Sequence, residues 1–139
     1  ETEVLEAKKD GVLFRHLPET LGVDAFFVLR PILANAPIQE ALERAISHEG
    51  KLYDFVFDFR KADRLVCSEV IYRAYHGVGP VSFELVKRAG KLVLSAEDLA
   101  RQALKSGHFE VLCCFGLKGN TFMEGPLANQ RVFETLESD

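Results

Sequence analysis

The sequence contains no apolar run near the roughly 18 residues that a membrane-spanning helix requires, and no low-complexity segment, internal repeat or linker. It has no CxxC or HExxH spacing and no glycine-rich phosphate loop, so no metal, nucleotide or other cofactor is expected. Positive charge is not in excess. A net charge of −4 lacks the clustered cationic surface of a phosphate-backbone binder, and nucleic acid is not an expected partner. Cysteine is sparse: there are three, an odd number, and Cys113 and Cys114 are adjacent within an apolar stretch, which does not indicate a disulfide framework. Residue 1 is Glu1 rather than methionine, and no charged-then-apolar leader follows it, so the chain is expected to be trimmed or processed.

What is present fits one domain over residues 1–139, since a single hydrophobic core suits roughly 100–200 residues. Hydrophobic residues at 47% and charged residues at 27% are those of a folded, water-soluble chain. TEVLE at 2–6 alternates polar and apolar residues and predicts a strand, with GVLFRHL at 11–17 as its hairpin partner across the KKDG turn. AFFVLRP at 25–31 predicts a further strand ended by Pro31. In APIQEALERAISHEG, Ile38, Ala41, Leu42, Ala45 and Ile46 recur at helical spacing, with Pro37 in the first turn and Gly50 at the end, which predicts a helix with one buried face. YDFVFDF at 53–59 reads as an irregular strand or aromatic loop. KLVL at 91–94 predicts a strand. SAEDLARQALKSG at 95–107 predicts a helix capped by Ser95 and stopped by Gly107, with Leu99, Ala100, Ala103 and Leu104 buried. FEVLCCFG at 109–116 is apolar on both alternating faces, as a central strand is, and the tail from Leu117 onward reads as irregular.

The run RLVCSEVIYRAYHG at 64–77 raises the chemical question. Cys67, Val70, Ile71 and Ala74 fall on one helical stripe, so the helix should start at the cysteine and end near Gly77. Free cysteine is among the most buried residue types, and an apolar stripe needs no chemistry to explain it. A thiol in the first turn also lies near the positive end of the helix dipole, which favours thiolate. A nucleophile needs a base, usually a histidine within hydrogen-bond reach. His76 is nine residues along the same helix, about 13 Å away at 1.5 Å per residue, and cannot reach. His48 and His108 sit at helix ends, where they serve the terminal carbonyls or solvent. His16 shares a strand face with Val12 and Phe14 and reads as inert. None is a convincing base.

These residues resemble a known family. YDFVFDF followed by CSEVIYRAYHG, with EVLEA and a GV far upstream, is similar to the circularly permuted NlpC/P60 cysteine hydrolases of the YiiX/YebB-like papain-fold group. The resemblance covers most of the chain, and its most specific element is Asp-Phe-Asp, a short gap, then Cys-Ser-Glu opening a helix. It implies an α+β papain-like fold, a small antiparallel sheet packed against helices, in permuted order. It implies that Cys67 is the catalytic cysteine and Glu6 the residue that orients the base. The histidine is expected shortly before Glu1, on a strand these residues do not include. Either that strand precedes the chain or the protein is an inactive relative, and the first is favoured because an edge strand without its neighbour leaves ladder groups unpaired.

The implied chemistry is acyl transfer to the Cys67 sulfur on amide or ester bonds, with cell-wall peptides and acylated lipids both represented among relatives. The oxyanion would meet the Cys67 N–H at the helix start. Tyr53, Phe55, Phe57 and Phe59 read first as core, with Tyr53 and Phe55 as the candidates to line a substrate pocket. Asp54 and Asp58 read as loop caps. Ser68 and Glu69 are placed opposite or beside the cysteine stripe, and Cys113 and Cys114 are taken as inert packing. The alternatives are a catalytically inactive papain-like binding module for a peptide, lipid or protein, and a purely structural domain. Substrate, oligomeric state and compartment, cytoplasmic or cell envelope, stay open.

Overall fold

The computed structural model describes residues 2–53, 64–65 and 67–137, with the side chains of residues 64, 65 and 67 outside that description. In chain order the elements are β1 (Glu3–Lys8), β2 (Gly11–His16), α1 (Leu17–Thr20), β3 (Phe26–Pro31), α2 (Asn35–Ile46), β4 (Leu52–Tyr53), β5 (Arg64–Leu65), α3 (Cys67–Tyr75), β6 (Val86–Arg88), β7 (Lys91–Val93), α4 (Ala96–Ser106), β8 (Phe109–Phe115), β9 (Phe122–Glu124) and α5 (Gly125–Glu137). The architecture is α+β, built from small sheets and the helices packed on them.

β1 and β2 form the expected antiparallel hairpin, with Glu6 opposite Leu13 and Ala7 opposite Val12. Leu5, Ala7 and Val12 share one face by the strand alternation, and that face packs on Val70 of α3. The backbone then extends the hairpin sideways: Val12 N–H donates to the Lys51 carbonyl at 2.8 Å and Gly50 N–H to the Val12 carbonyl at 2.7 Å. This brings β4 beside β2, and β4 pairs in parallel with β5, Tyr53 opposite Leu65.

The second sheet runs β3-β8-β9, antiparallel throughout, so FEVLCCFG is the central strand predicted. Its alternation slips at a bulge: Val28 pairs with Cys113 but Leu29 with Val111, leaving Leu112 as the extra residue. Phe109 and Val111 are buried on one side of that slip and Cys114, not Cys113, on the other. Glu110 and Leu112 face outward, so the strand is covered on one face, a correction to the two-sided burial read from its apolar run.

Helix α4 follows the sequence closely. Ser95 Oγ accepts the Asp98 N–H at 3.0 Å, Gly107 takes a φ of 79°, and Leu99, Ala100, Ala103 and Leu104 are all buried. These four residues divide between two clusters. Leu99 and Ala103 join Val81, Phe83, Leu94 and Phe109, while Ala100 and Leu104 join Val111, Cys114, Ala128, Val132 and Leu136.

Elsewhere the expectations need correction. The tail after Leu117 is not irregular: it forms β9 and α5, whose Ala128, Val132 and Leu136, spaced by four, seal the second cluster. A strand, β6, precedes KLVL and pairs with it across a turn in which Ala89 and Gly90 both have positive φ. Helix α2 stops at Ile46 rather than Gly50, with turns filling the gap. Of its predicted apolar face only Ala41 is fully buried, and Leu42 and Ile46 are 48% and 50% exposed. The helix packs against α3 through too narrow a strip to cover the whole stripe.

Candidate functional site

Cys67 is the first residue of α3, as the stripe predicted, and the helix ends at Tyr75 with Gly77 at a φ of 82° just beyond. The sulfur itself, with Phe55, Phe57, Phe59, Asp54 and Asp58, lies outside the described residues. Two faces of α3 hold it in place. Val70 meets the hairpin, while Tyr72 and Tyr75 pack into the larger cluster, where Tyr75 stands edge-on to Phe109 at 5.3 Å between ring centres. Ala74 is buried as expected, but Ile71 is 43% exposed, so the apolar stripe turns partly to solvent.

The sequence reading sets Ser68 and Glu69 opposite or beside the cysteine stripe and leaves their burial open. Ser68 is buried and Glu69 has no exposed surface at all. Arg73, one turn on, donates from Nε to Glu69 Oε2 at 3.0 Å. A carboxylate in the first turn is favoured by the helix dipole, and the adjacent guanidinium offsets part of its desolvation. Tertiary packing covers Ser68 and Glu69 on the polar side of α3 while Ile71 of the apolar stripe stays partly open.

Glu6 is engaged on the hairpin. Its Oε1 accepts from Thr20 Oγ1 at 3.2 Å and pairs with Arg15 Nε at 3.1 Å and Lys8 Nζ at 3.5 Å. Strand alternation sends this carboxylate to the face opposite Leu5 and Ala7, away from Val70 of the cysteine helix. Arg15 also grips Asp10 through two N–H donors at 2.6 and 3.2 Å, which holds the Asp10 carboxyl below the ordinary carboxylate value.

Beside the hairpin turn lies an open cleft of about 530 Å³ lined by Ala7, Lys8, Lys9, Asp10 and Tyr53. Tyr53 borders that cleft, and its strand partner Leu65 is two residues before Cys67.

The four histidines all lie among the described residues. His16 is exposed, and His108 follows α4, its N–H donating to Ser106 Oγ at 3.1 Å. His76 stacks on Tyr72 and uses Nδ1 to accept the Phe83 N–H at 3.0 Å, while its carbonyl accepts from Arg44 at 2.8 Å. His48 is not simply a helix-end group. Its Nδ1 is buried without a hydrogen bond, and burial first, then Lys51 and Arg73, push the imidazole below its ordinary value.

Comparison with protein-family models and with curated proteins finds no match. Among solved structures, the chain is similar to the metalloprotein yiiX from Escherichia coli O157:H7, with a TM-score of 0.55 and 22% sequence identity over 95% of this chain and 70% of that one. Among the described residues no three His, Cys, Asp or Glu side chains gather into a group that could hold a metal ion. No described helix is long and apolar enough to cross a membrane. From fold and comparison together, this is a chain with a YiiX-like α+β fold.

Proposed function

We propose that the chain carries the nucleophile of a cysteine hydrolase or acyltransferase that acts on amide or ester bonds, in a papain-like domain of the permuted NlpC/P60 type. The observation behind this reading is that Cys67 opens α3, a helix held on one side by the hairpin and on the other by the main core, within a YiiX-like fold. A thiol at that place is biased towards thiolate by the first-turn N–H groups, and its own backbone N–H faces the position of a developing oxyanion.

In the reaction the Cys67 thiolate adds to the carbonyl carbon, and the tetrahedral intermediate expels the amine or alkoxide, which takes a proton as it leaves. The resulting thioester is then opened by water or another acceptor, returning the thiol and releasing the acid or transferred acyl group. The base belongs to a histidine expected ahead of residue 1. Glu6 enters as its orienting group on resemblance alone, since the hairpin turns this carboxylate away from Val70. Phe55 and Tyr53 are proposed to line the acyl site, Tyr53 from the cleft wall.

That same arrangement of Glu6 favours a second reading, an inactive papain-like module that binds a peptide or lipid without turning it over. Alkylation separates the two. Labelling of Cys67 by iodoacetamide in the full-length protein should reach stoichiometry well below pH 8.5 if the thiol is activated, whereas labelling that rises only near the ordinary thiol pKa, about 8.5, defeats the enzyme reading. Glu6→Gln adds a second reading of the same experiment: an unchanged labelling profile removes Glu6 from the site.

A further inference from the structure

The sheet β3-β8-β9 is apolar on the side away from α4 and α5 as well as on the side they cover. Its inward residues, among them Phe27, Val111, Cys114 and Met123, belong to or pack on the second cluster. Strand alternation turns the residues between them outward. Phe26, Phe115 and Phe122 pair in register across the three strands as one aromatic row, with the rings of Phe26 and Phe115 stacked at 6.0 Å between centres. Val28 follows on β3, and the ladder continues past Pro31, where Ile32 N–H donates to the His108 carbonyl at 2.7 Å. Ile32, Leu112 and Phe122 are 54%, 40% and 53% exposed, and among the described residues none of these outward side chains joins a hydrophobic cluster. An antiparallel sheet that faces water on one side normally carries polar residues there, and this one does not. Towards one end Arg30 and Glu110 stand opposite each other in register, both exposed. Neither makes an ion pair among the described residues.

We propose that this outward face is where two copies of the chain meet, sheet on sheet. Packed sheets run within about 30° of each other and about 10 Å apart. A two-fold axis parallel to the strands and midway between β3 and β8 lays each β3 on the partner's β8 and keeps the rows level. Phe26 then meets the partner's Phe115, and each Phe122 flanks the partner's Phe26. Arg30 lies over the partner's Glu110 and Glu110 over the partner's Arg30, so the face is complementary to itself in charge. A partner of other sequence needs its own matching pair of opposite charges, and a second copy already has it. Three strands and the residues 26–32 make a face of roughly 14 Å by 24 Å, about 340 Å² when flat, against the roughly 800 Å² per partner of a standard interface. The dimer is therefore a weak one, half formed at about 100 µM.

Sedimentation equilibrium of the full chain, from roughly 5 µM to about 1 mM so as to bracket that value, tests the proposal. The average mass should climb from one chain towards two. Arg30→Glu or Glu110→Arg sets like charges over each other at two places and should weaken the dimer about tenfold, while the double swap Arg30→Glu/Glu110→Arg should recover it to within about threefold. Leu112→Lys puts an ammonium group into the apolar seam and should remove the dimer from the range measured. Circular dichroism checks that each variant is folded. A chain that stays monomeric throughout, single swaps without effect, or a double swap that fails to recover the dimer overturns the proposal. Flotation of a monomeric chain with phosphatidylcholine vesicles assigns the face to a lipid surface and overturns it equally.

Discussion

A buried carboxylate and a half-buried imidazole set the character of the region around α3. Glu69 is sealed from solvent and held by Arg73, so removing the guanidinium leaves a carboxylate in low dielectric. Arg73→Met should cost roughly 3 kcal/mol in urea unfolding, the lower end for a broken buried pair because Arg73 is partly exposed. His48 gives a pH signature of the opposite kind. Its folded-state value is depressed by burial first and then by Lys51 and Arg73, so the unfolded chain binds the proton more readily. The contribution is complete above the unfolded-state value of about 6.5 and is lost as pH falls through that value towards the lower folded one. His48→Gln should flatten the decline of stability between pH 7 and 5, measured by denaturant midpoints at each pH. Neither environment was readable from the sequence: helical spacing sets Glu69 opposite or beside the cysteine stripe without saying what covers it, and Arg73 reaches the surroundings of His48 from another helix.

Elements with local signals were legible, and those whose signal depends on a partner were not. Ser95, Asp98 and Gly107 announce α4 by their own chemistry, and Ser95→Ala should cost about 1 kcal/mol by removing the acceptor for the Asp98 N–H. The opening of α3 at Cys67 was likewise visible in the stripe spacing. By contrast α5 begins with Gly125 and Pro126, residues that look like loop, although proline is at home in a first turn. Its spacing of Ala128, Val132 and Leu136 carried the signal that composition masked. The bulge at Leu112 was invisible because only pairing with β3 reveals an extra residue. It decides which of two adjacent thiols faces the core: Cys114 is buried and its thiol pushed up by burial, while Cys113 is half-buried. Just past β8, Gly116 has a φ of 80°, and a Cβ there would collide with the Asp24 carbonyl. Gly116→Ala should therefore destabilise by more than the roughly 1 kcal/mol of an ordinary left-handed position, read as a fall in the urea midpoint.

At the scale of the whole molecule the sheet β3-β8-β9 carries a helix pair, and the middle of α4 is tied to the end of α5. Arg101 donates from two nitrogens to the Leu136 carbonyl, at 2.9 and 3.1 Å, closing the last turn of α5. Leu136→Ala should cost about 2–4 kcal/mol, the range for a buried leucine, and thermal denaturation followed by circular dichroism will show whether the loss is that large. The likeness to yiiX is a likeness of this whole arrangement, and at 22% identity it speaks of the fold alone. The α+β class was legible because alternating strands and capped helices declare themselves singly, but which sheet each strand joins depends on contacts far apart in the chain. Helix α4, with neighbouring residues committed to two separate hydrophobic clusters, leaves neither cluster an independent fate. Backbone amides of β7 and of α5, which never touch through a common strand, should thus exchange with deuterium at one shared opening energy, as parts of a single cooperative unit.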